Sequence, residues 1–173
     1  MRIDTSDLRV RWQDKDNEET DLPQLCRIFS AAFPLETWTA ADFIRFRKKE
    51  DANNVIKVLT QHPADGDLIY GGLMYTVTPE LVRIRRITIA EPFRLHGFGR
   101  YLMSFLIGHR SGIRRRKFLA TLSEYDETSQ LFFRALGFRV PKTGGIKKVE
   151  GKPDRYQFTF LKQTEPARLV CTS

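Results

Sequence analysis

The sequence predicts a mixed α/β (α+β) domain, on three observations. Apolar residues alternate along several short runs, the period of half-buried strands, and recur every three or four residues along four others, the period of amphipathic helices. These runs follow one another in the order β-α-α-β-β-β-α-β-α-β, with no internal repeat and no linker. Hydrophobic residues make up 41% of the 173 positions and charged ones 29%, enough apolar material to close one core. One domain is therefore expected over residues 1–162, followed by an aperiodic tail, 163–173, that is expected to fray.

The first strand is LRVRW, Leu8–Trp12. Asp21 is expected to cap a helix that places Leu22, Leu25, Ile28, Phe29 and Ala32 on one face. Pro23 fits the first turn, where its missing N–H costs nothing, and Pro34 ends the helix. Thr39 is expected to cap a shorter helix carrying Phe43, Ile44 and Phe46. NVIKVLT (54–60) and LIYGGLMYTV (68–77) read as strands joined by the turn-rich QHPADGD. LVRIRRITIA (81–90) reads as a fourth strand with clean alternation. A helix over 97–109 is expected to bury Tyr101, Leu102, Phe105 and Leu106, and KFLATL (117–122) is a fifth strand. DETSQLFFRALGF is a short helix closed by Gly137. RYQFTFL (155–161) is the last strand, after the glycine-rich TGGIKKVEGKP, with an extra short strand near 138–140.

Composition narrows the function. No run of roughly 18 apolar residues occurs, so no membrane span is expected. MRIDTSDLRV lacks the apolar region of a signal peptide, and the two cysteines, Cys26 and Cys171, do not suggest a disulfide framework, so a reducing cytoplasm is expected. His62, His96 and His109 are scattered without metal-ligand spacing, and there is no nucleophile elbow for a serine triad, so no metal site is expected. The formal net charge of +8 favours phosphate-rich partners: nucleic acid, a ribosome or an anionic cofactor. Its clusters are Arg83, Arg85 and Arg86, and then Arg114, Arg115, Arg116 and Lys117.

The informative stretch is EPFRLHGFGRYL (91–102), between the fourth strand and the third helix. The first N–H groups of a helix lack internal partners, and the helix dipole adds partial positive charge there. Gly97 and Gly99 leave room for a phosphate to approach those groups, and Arg94 and Arg100 can bond it from either side. A P-loop would end in Gly-Lys-Ser/Thr, and a dinucleotide fingerprint would carry a third glycine where Leu102 stands. Neither pattern is present.

RLHGFG resembles the Arg/Gln-x-x-Gly-x-Gly/Ala signature of the GNAT superfamily of acetyltransferases, and it follows the fourth strand as in that family. TIAEPF is similar to the family's approach to the loop, and SQLFFRALGFR (129–139) to its closing helix. The resemblance covers about 8–161, and within the superfamily the chain looks most like the ribosomal-protein N-terminal alanine acetyltransferases, chiefly over 87–138. It implies a mostly antiparallel sheet of six or seven strands with helices on both faces, its fourth and fifth strands parallel and splayed. It also implies acetyl-coenzyme A as cosubstrate. The pantetheine arm would pair near Ile87 and Ile89, and the pyrophosphate would sit at Arg94, Leu95, His96, Gly97, Phe98, Gly99 and Arg100. Asp126 and Phe133 fall at cofactor-contact positions, Asp126 where the family has asparagine.

Acetyl transfer needs a base for the amine, a donor to the thioester oxygen and a proton for the thiolate. The resemblance places the base at Thr121 and the acid at Phe133, so neither expected group is present. Glu124 and Tyr125, just after the fifth strand, are the candidate substitutes, with Glu91 as a third, and the Ile89 N–H is the expected oxyanion donor. The expected acceptor is an amine, foremost a protein or peptide N-terminus, gripped by the first two helices and the segment 143–153. There GKPDRYQF keeps the acidic-then-tyrosine pattern in Asp154 and Tyr156 but adds Lys152 and Arg155, which points to an acidic acceptor. The alternative is a module that keeps the acyl-carrier site, has lost its acid and base, and binds RNA or a ribosome through its basic faces. Either form is expected as a monomer or homodimer.

Overall fold

The computed structural model describes residues 8–12, 18–48, 53–61, 68–111, 117–150 and 152–163. Within them the periodicities become β1 (Leu8–Trp12), α1 (Glu18–Ala32), α2 (Ala40–Lys48), β2 (Asn53–Gln61), β3 (Leu68–Val77) and β4 (Leu81–Ile89). After these come α3 (Phe98–Ser111), β5 (Lys117–Ser123), α4 (Glu127–Ala135), β6 (Ile146–Val149) and β7 (Lys152–Gln163). The strands form one mostly antiparallel sheet in the order β1-β2-β3-β4-β5-β7-β6, in which β4 and β5 run parallel. Strand β7 takes in Gln163, the first residue of the expected tail, while 164–173 and the cluster Arg114, Arg115 and Arg116 lie outside the described residues.

The chain divides into two compact units, Met1–Val77 with Arg86–Phe105, and Thr78–Arg85 with Leu106–Ser173. In the first, β3 is buried from Ile69 to Val77, as a central strand covered on both faces must be. Helix α1 packs on β3 and α2 on β2, closing a core of Leu25, Phe29, Phe43, Ile56, Ile69 and Met74. Phe29 meets Phe43 edge-on at 5.1 Å and Trp38 at 5.2 Å, the geometry that ring quadrupoles favour. Burial, with the nearby Asp42 charge, pushes the Cys26 thiol above its ordinary value, so it packs rather than reacts.

Asp21 does not cap α1. The helix begins at Glu18, which leaves Pro23 inside it, and the Asp21 carboxylate is fully buried. It accepts two hydrogen bonds of 2.6 Å from the Arg11 guanidinium of β1. A buried carboxylate needs such a fork, and that demand overrides the local capping preference.

Thr39 stands at the N-cap position, just before α2. Its backbone N–H and hydroxyl both donate to Asp42 Oδ2, at 2.9 and 2.6 Å, so the carboxylate reaches back over the helix start as one half of a capping box. The Thr39 hydroxyl bond, then the backbone bond, holds the Asp42 carboxyl below its ordinary value. The stability this adds is complete above the ordinary aspartate range and is lost as pH falls through the lowered folded value. Thermal melts of wild type and Asp42→Ala should therefore differ most at neutral pH and converge in acid.

Strand β4 departs from the expected unbroken alternation. Val82, Ile84 and Thr88 are buried on one face, so Arg86 shares it while Ile87 and Ile89 take the other. Arg86 is held there by Glu36 Oε1 at 2.8 Å and by the Phe33 ring, 5.4 Å from its guanidinium carbon.

In the second unit, β5 pairs with β7 from Lys117↔Gln163 to Ser123↔Gln157, around the buried Phe118, Phe133, Phe138 and Phe160. Helix α4 ends as the sequence predicts. Gly137 takes φ 84°, its N–H donates to Arg134 O at 2.9 Å, and the Phe138 N–H reaches Phe133 O at 3.0 Å. The rings of Phe133 and Phe138 meet at 5.0 Å across that cap. The glycine-rich 143–153 segment is not merely a connection. IKKV forms β6 against β7, while the short strand expected near 138–140 is a single bridge, Arg139↔Leu161. Tertiary pairing supplies β6, since four residues with two lysines carry too little periodicity to declare a strand.

Candidate active site

The parallel pairing of β4 with β5 runs from Leu81↔Lys117 to Ile84↔Ala120, and both strands then continue. Along a strand, backbone polar groups point alternately to either side. The Ala90 N–H donates to Tyr70 O on β3 at 2.8 Å, so the Ile87 and Ile89 amides face the opposite edge of β4. The Ile89 carbonyl on that edge accepts from Arg94 Nε at 3.0 Å. Arg94 is exposed, so the bond ties the loop to the strand end while the rest of the guanidinium still faces solvent.

Beyond β4 the chain makes one 3-10 turn, Glu91–Phe93, with Pro92 second in it, where its fixed φ suits the turn and its missing N–H leaves no bond unmade. Leu95 then takes φ 64° and Gly97 φ 83°, on either side of His96. His96 Nδ1–H donates to Arg94 O at 2.7 Å, which leaves Nε2 for a partner outside the loop. The Gly97 carbonyl accepts the first helical bond of α3, from the Tyr101 N–H at 2.9 Å. The amides of Phe98, Gly99 and Arg100 therefore open the helix without helical partners, and left-handed residues just upstream turn neighbouring N–H groups into one concavity. A Cβ at Gly97 would meet nothing within 4 Å, so the loop is open on that side, just before these amides. The arrangement suits a diphosphate.

An aromatic brace lies beneath. Tyr70, 4% exposed, meets Phe93 at 4.4 Å and Phe98 at 5.2 Å, and Phe98 is itself 2% exposed. Tyr70 is the extra residue in a β2–β3 register shift, Leu59↔Gly71 followed by Thr60↔Ile69, and such bulges re-aim side chains next to functional sites. The neighbouring Gly71 has no room for a side chain, because a Cβ there would run into the Thr88 carbonyl oxygen and come within 2.6 Å of Ile89 Cδ1. In the sequence Tyr70 and Gly71 read as ordinary strand residues. The paired glycines in a strand were the available signal of close backbone approach. Tyr101 is another departure from expectation: it is 43% exposed, and its hydroxyl donates to Leu8 O at 3.3 Å, while Leu102, Met103 and Leu106 carry the buried face of α3.

In the second unit, Glu124, Tyr125 and Asp126 share the turn that joins β5 to α4. Gln130 Nε2 donates to Ser123 O at 2.9 Å and to Glu124 O at 3.1 Å, and the Tyr125 N–H donates to Ser123 Oγ at 3.3 Å. Glu124 is half-buried and Tyr125 is 69% exposed. Asp126 is the N-cap of α4, accepting from the Ser129 N–H at 3.1 Å. Phe133 is 1% exposed and enclosed by Phe132, Phe138 and Phe160. Thr121, at the expected base position, is exposed and lies opposite Thr159 of β7. Among the described residues, no three His, Cys, Asp or Glu side chains gather as a metal site.

The model of the acetyltransferase (GNAT) family matches residues 22–138. Solved structures are similar over nearly the whole chain. A GNAT-family acetyltransferase from Desulfovibrio desulfuricans, 16% identical, matches at TM-score 0.71 over 90% of this chain and 98% of its own. An aminoglycoside 6'-N-acetyltransferase complexed with coenzyme A, 13% identical, also gives 0.71, over 91% and 98%. The ribosomal-protein-S18-alanine N-acetyltransferase of Escherichia coli, 15% identical, gives 0.67, over 94% and 98%. Likeness at these identities shows the fold. No curated protein matches the sequence.

Proposed function

The chain belongs to the GNAT family of acetyltransferases, with acetyl-coenzyme A as its acetyl donor, and from that premise we propose that it acetylates the N-terminal amino group of a protein or peptide. The observation that carries the reading is the backbone cradle opening α3, joined through Arg94 to the end of β4. The likeness to the S18-alanine enzyme supports the choice of acceptor, as does the sequence resemblance over 87–138.

The residues have the following roles. The amides of 95–100 and the side chains of Arg94 and Arg100 bind the diphosphate, with His96 Nε2 available beside them. The Ile87 and Ile89 backbone receives the pantetheine arm, and the Ile89 N–H donates to the thioester oxygen as negative charge grows there. When bound, the carrier supplies the acetyl group: the amine nitrogen bonds to the carbonyl carbon, the C–S bond breaks, and the thiolate takes a proton. Glu124 takes the proton that frees the amine, and the Tyr125 phenol returns one to the sulfur. Each such group contributes roughly 10²–10⁴-fold in rate.

The test is a peptide-library screen in which thiol release from acetyl-coenzyme A is followed. Peptides with a free N-terminus should stimulate release, and the same peptides blocked at the N-terminus should not, even where they carry lysine. Equal stimulation by blocked, lysine-containing peptides would move the acceptor to a side chain.

A further inference from the structure

Between Glu127 and Glu150 the chain has no acidic residue, yet it carries Arg134, Arg139, Lys142, Lys147 and Lys148. All five side chains are exposed. Among the described residues none of them is in an ion pair. Arg139 reaches the adjacent Phe138 carbonyl at 3.4 Å, and Arg134 lies over the Phe160 ring at 5.7 Å, so neither charge is neutralised.

The fold gathers four of these cations along one rim. The edge of β7 away from β5 is lined by Arg139, which exchanges two 2.8 Å backbone bonds with Leu161, and by Gly145, whose carbonyl accepts from the Thr159 N–H at 2.6 Å. Strand β6 then pairs along the same edge, from Ile146↔Phe158 to Val149↔Lys152. The turn between these contacts is tight, since a Cβ at Gly145 would run into the Pro141 carbonyl, and Lys142 stands exposed on it. Adjacent strand residues point to opposite faces, so Lys147 and Lys148 charge both faces of the hairpin. Because β6 is last in the strand order, its outer backbone groups face no further strand among the described residues. Lysines on such an edge repel a second copy of a basic chain and attract an acidic strand. Ile146, 56% exposed, adds an apolar contact, whereas 139–149 holds no aromatic ring on which a nucleic-acid base could stack. Those features favour a polypeptide over RNA.

We propose that the β6 edge docks an acidic segment of the acceptor polypeptide, downstream of the amino group that is acetylated. The proposal rests on the reading of the acceptor as a polypeptide, and it assigns the partner its charge.

The test titrates the full chain into two fluorescent peptides that share length and N-terminal residues, one with downstream glutamates and the other with lysines, and reads anisotropy. The acidic peptide should bind at least roughly tenfold more tightly at low salt, and the gap should close at about 0.5 M salt, where screening is short-ranged. Lys147→Glu with Lys148→Glu should erase the preference. Lys147→Gln with Lys148→Gln, the milder pair, should reduce it, with acetyl-coenzyme A affinity unchanged in both. Equal affinity for the two peptides, or a preference that survives both variants, overturns the proposal. So does displacement of the acidic peptide by an RNA oligonucleotide with a steep salt slope. Acidic-peptide binding without thiol release from any free-amine peptide supports the docking edge and sinks the acetylation reading. Thiol release indifferent to downstream charge does the reverse.

Discussion

Replacing Arg94 and Gly97 together by alanine is expected to abolish acetyl transfer while leaving the protein folded. A methyl at Gly97 meets nothing within 4 Å beyond its chain neighbours, so protein packing does not resist it and its expected effect is to crowd the proposed diphosphate. Because Gly97 sits at φ 83°, the alanine also strains the loop, by about 1 kcal/mol. Removing Arg94 deletes its bond to Ile89 O and its charge beside the diphosphate. Hydrogen bonds to charged groups contribute about 1.5–3 kcal/mol each, and about 1.4 kcal/mol is tenfold in affinity, so losing one bond from the Arg94 guanidinium to the diphosphate and one from a crowded amide weakens binding by at least roughly 100-fold. Calorimetric titration with acetyl-coenzyme A reads the loss, and a thermal melt shifted by only a few degrees separates it from unfolding. Affinity within threefold of wild type would remove the cradle from the mechanism.

Gly71→Ala should act the other way, through stability. The Thr88 carbonyl that the new methyl strikes is backbone held in β4, which no side-chain rotation can move aside. Overpacking of this kind costs about 1–3 kcal/mol, and in a chain of this size each kcal/mol lowers the melting temperature by roughly 2–4 °C. Because β4 must shift at Thr88 and Ile89, the variant should also lose turnover at temperatures where it remains folded. A melt and a turnover rate both unchanged would show that β3 and β4 can separate freely here.

Elements whose pattern is local were legible in the sequence. The apolar stripe of α1, the Thr39 cap, the Gly137 ending and the glycine spacing of the cradle each depend on residues a few positions apart. Features that depend on distant partners were not. Asp21 reads as a cap until Arg11 of β1 arrives to take its carboxylate. IKKV reads as a loop until β7 pairs with it, and Arg86 reads as one more solvated strand charge until Phe33 and Glu36 engage it. Of the candidate site, the loop was legible because a phosphate cradle is a backbone motif with a fixed glycine spacing. Its aromatic brace was not, since a strand sequence does not announce which residue a bulge will turn beneath a neighbouring helix. For the catalytic pair the sequence supplied only position, the turn after β5, and the geometry adds the Gln130 staple that fixes that turn.

Leu95 carries a consequence for how quickly the donor is captured. A leucine resists the left-handed basin far more than a glycine does, and here its side chain is wholly in solvent, so no burial rewards the conformation. Its shape must be imposed by the flanking turns, which makes the loop a stiff receptor already set before any donor arrives. A ready-formed receptor loses little freedom on docking, so encounters should convert to complexes without a slow tightening step.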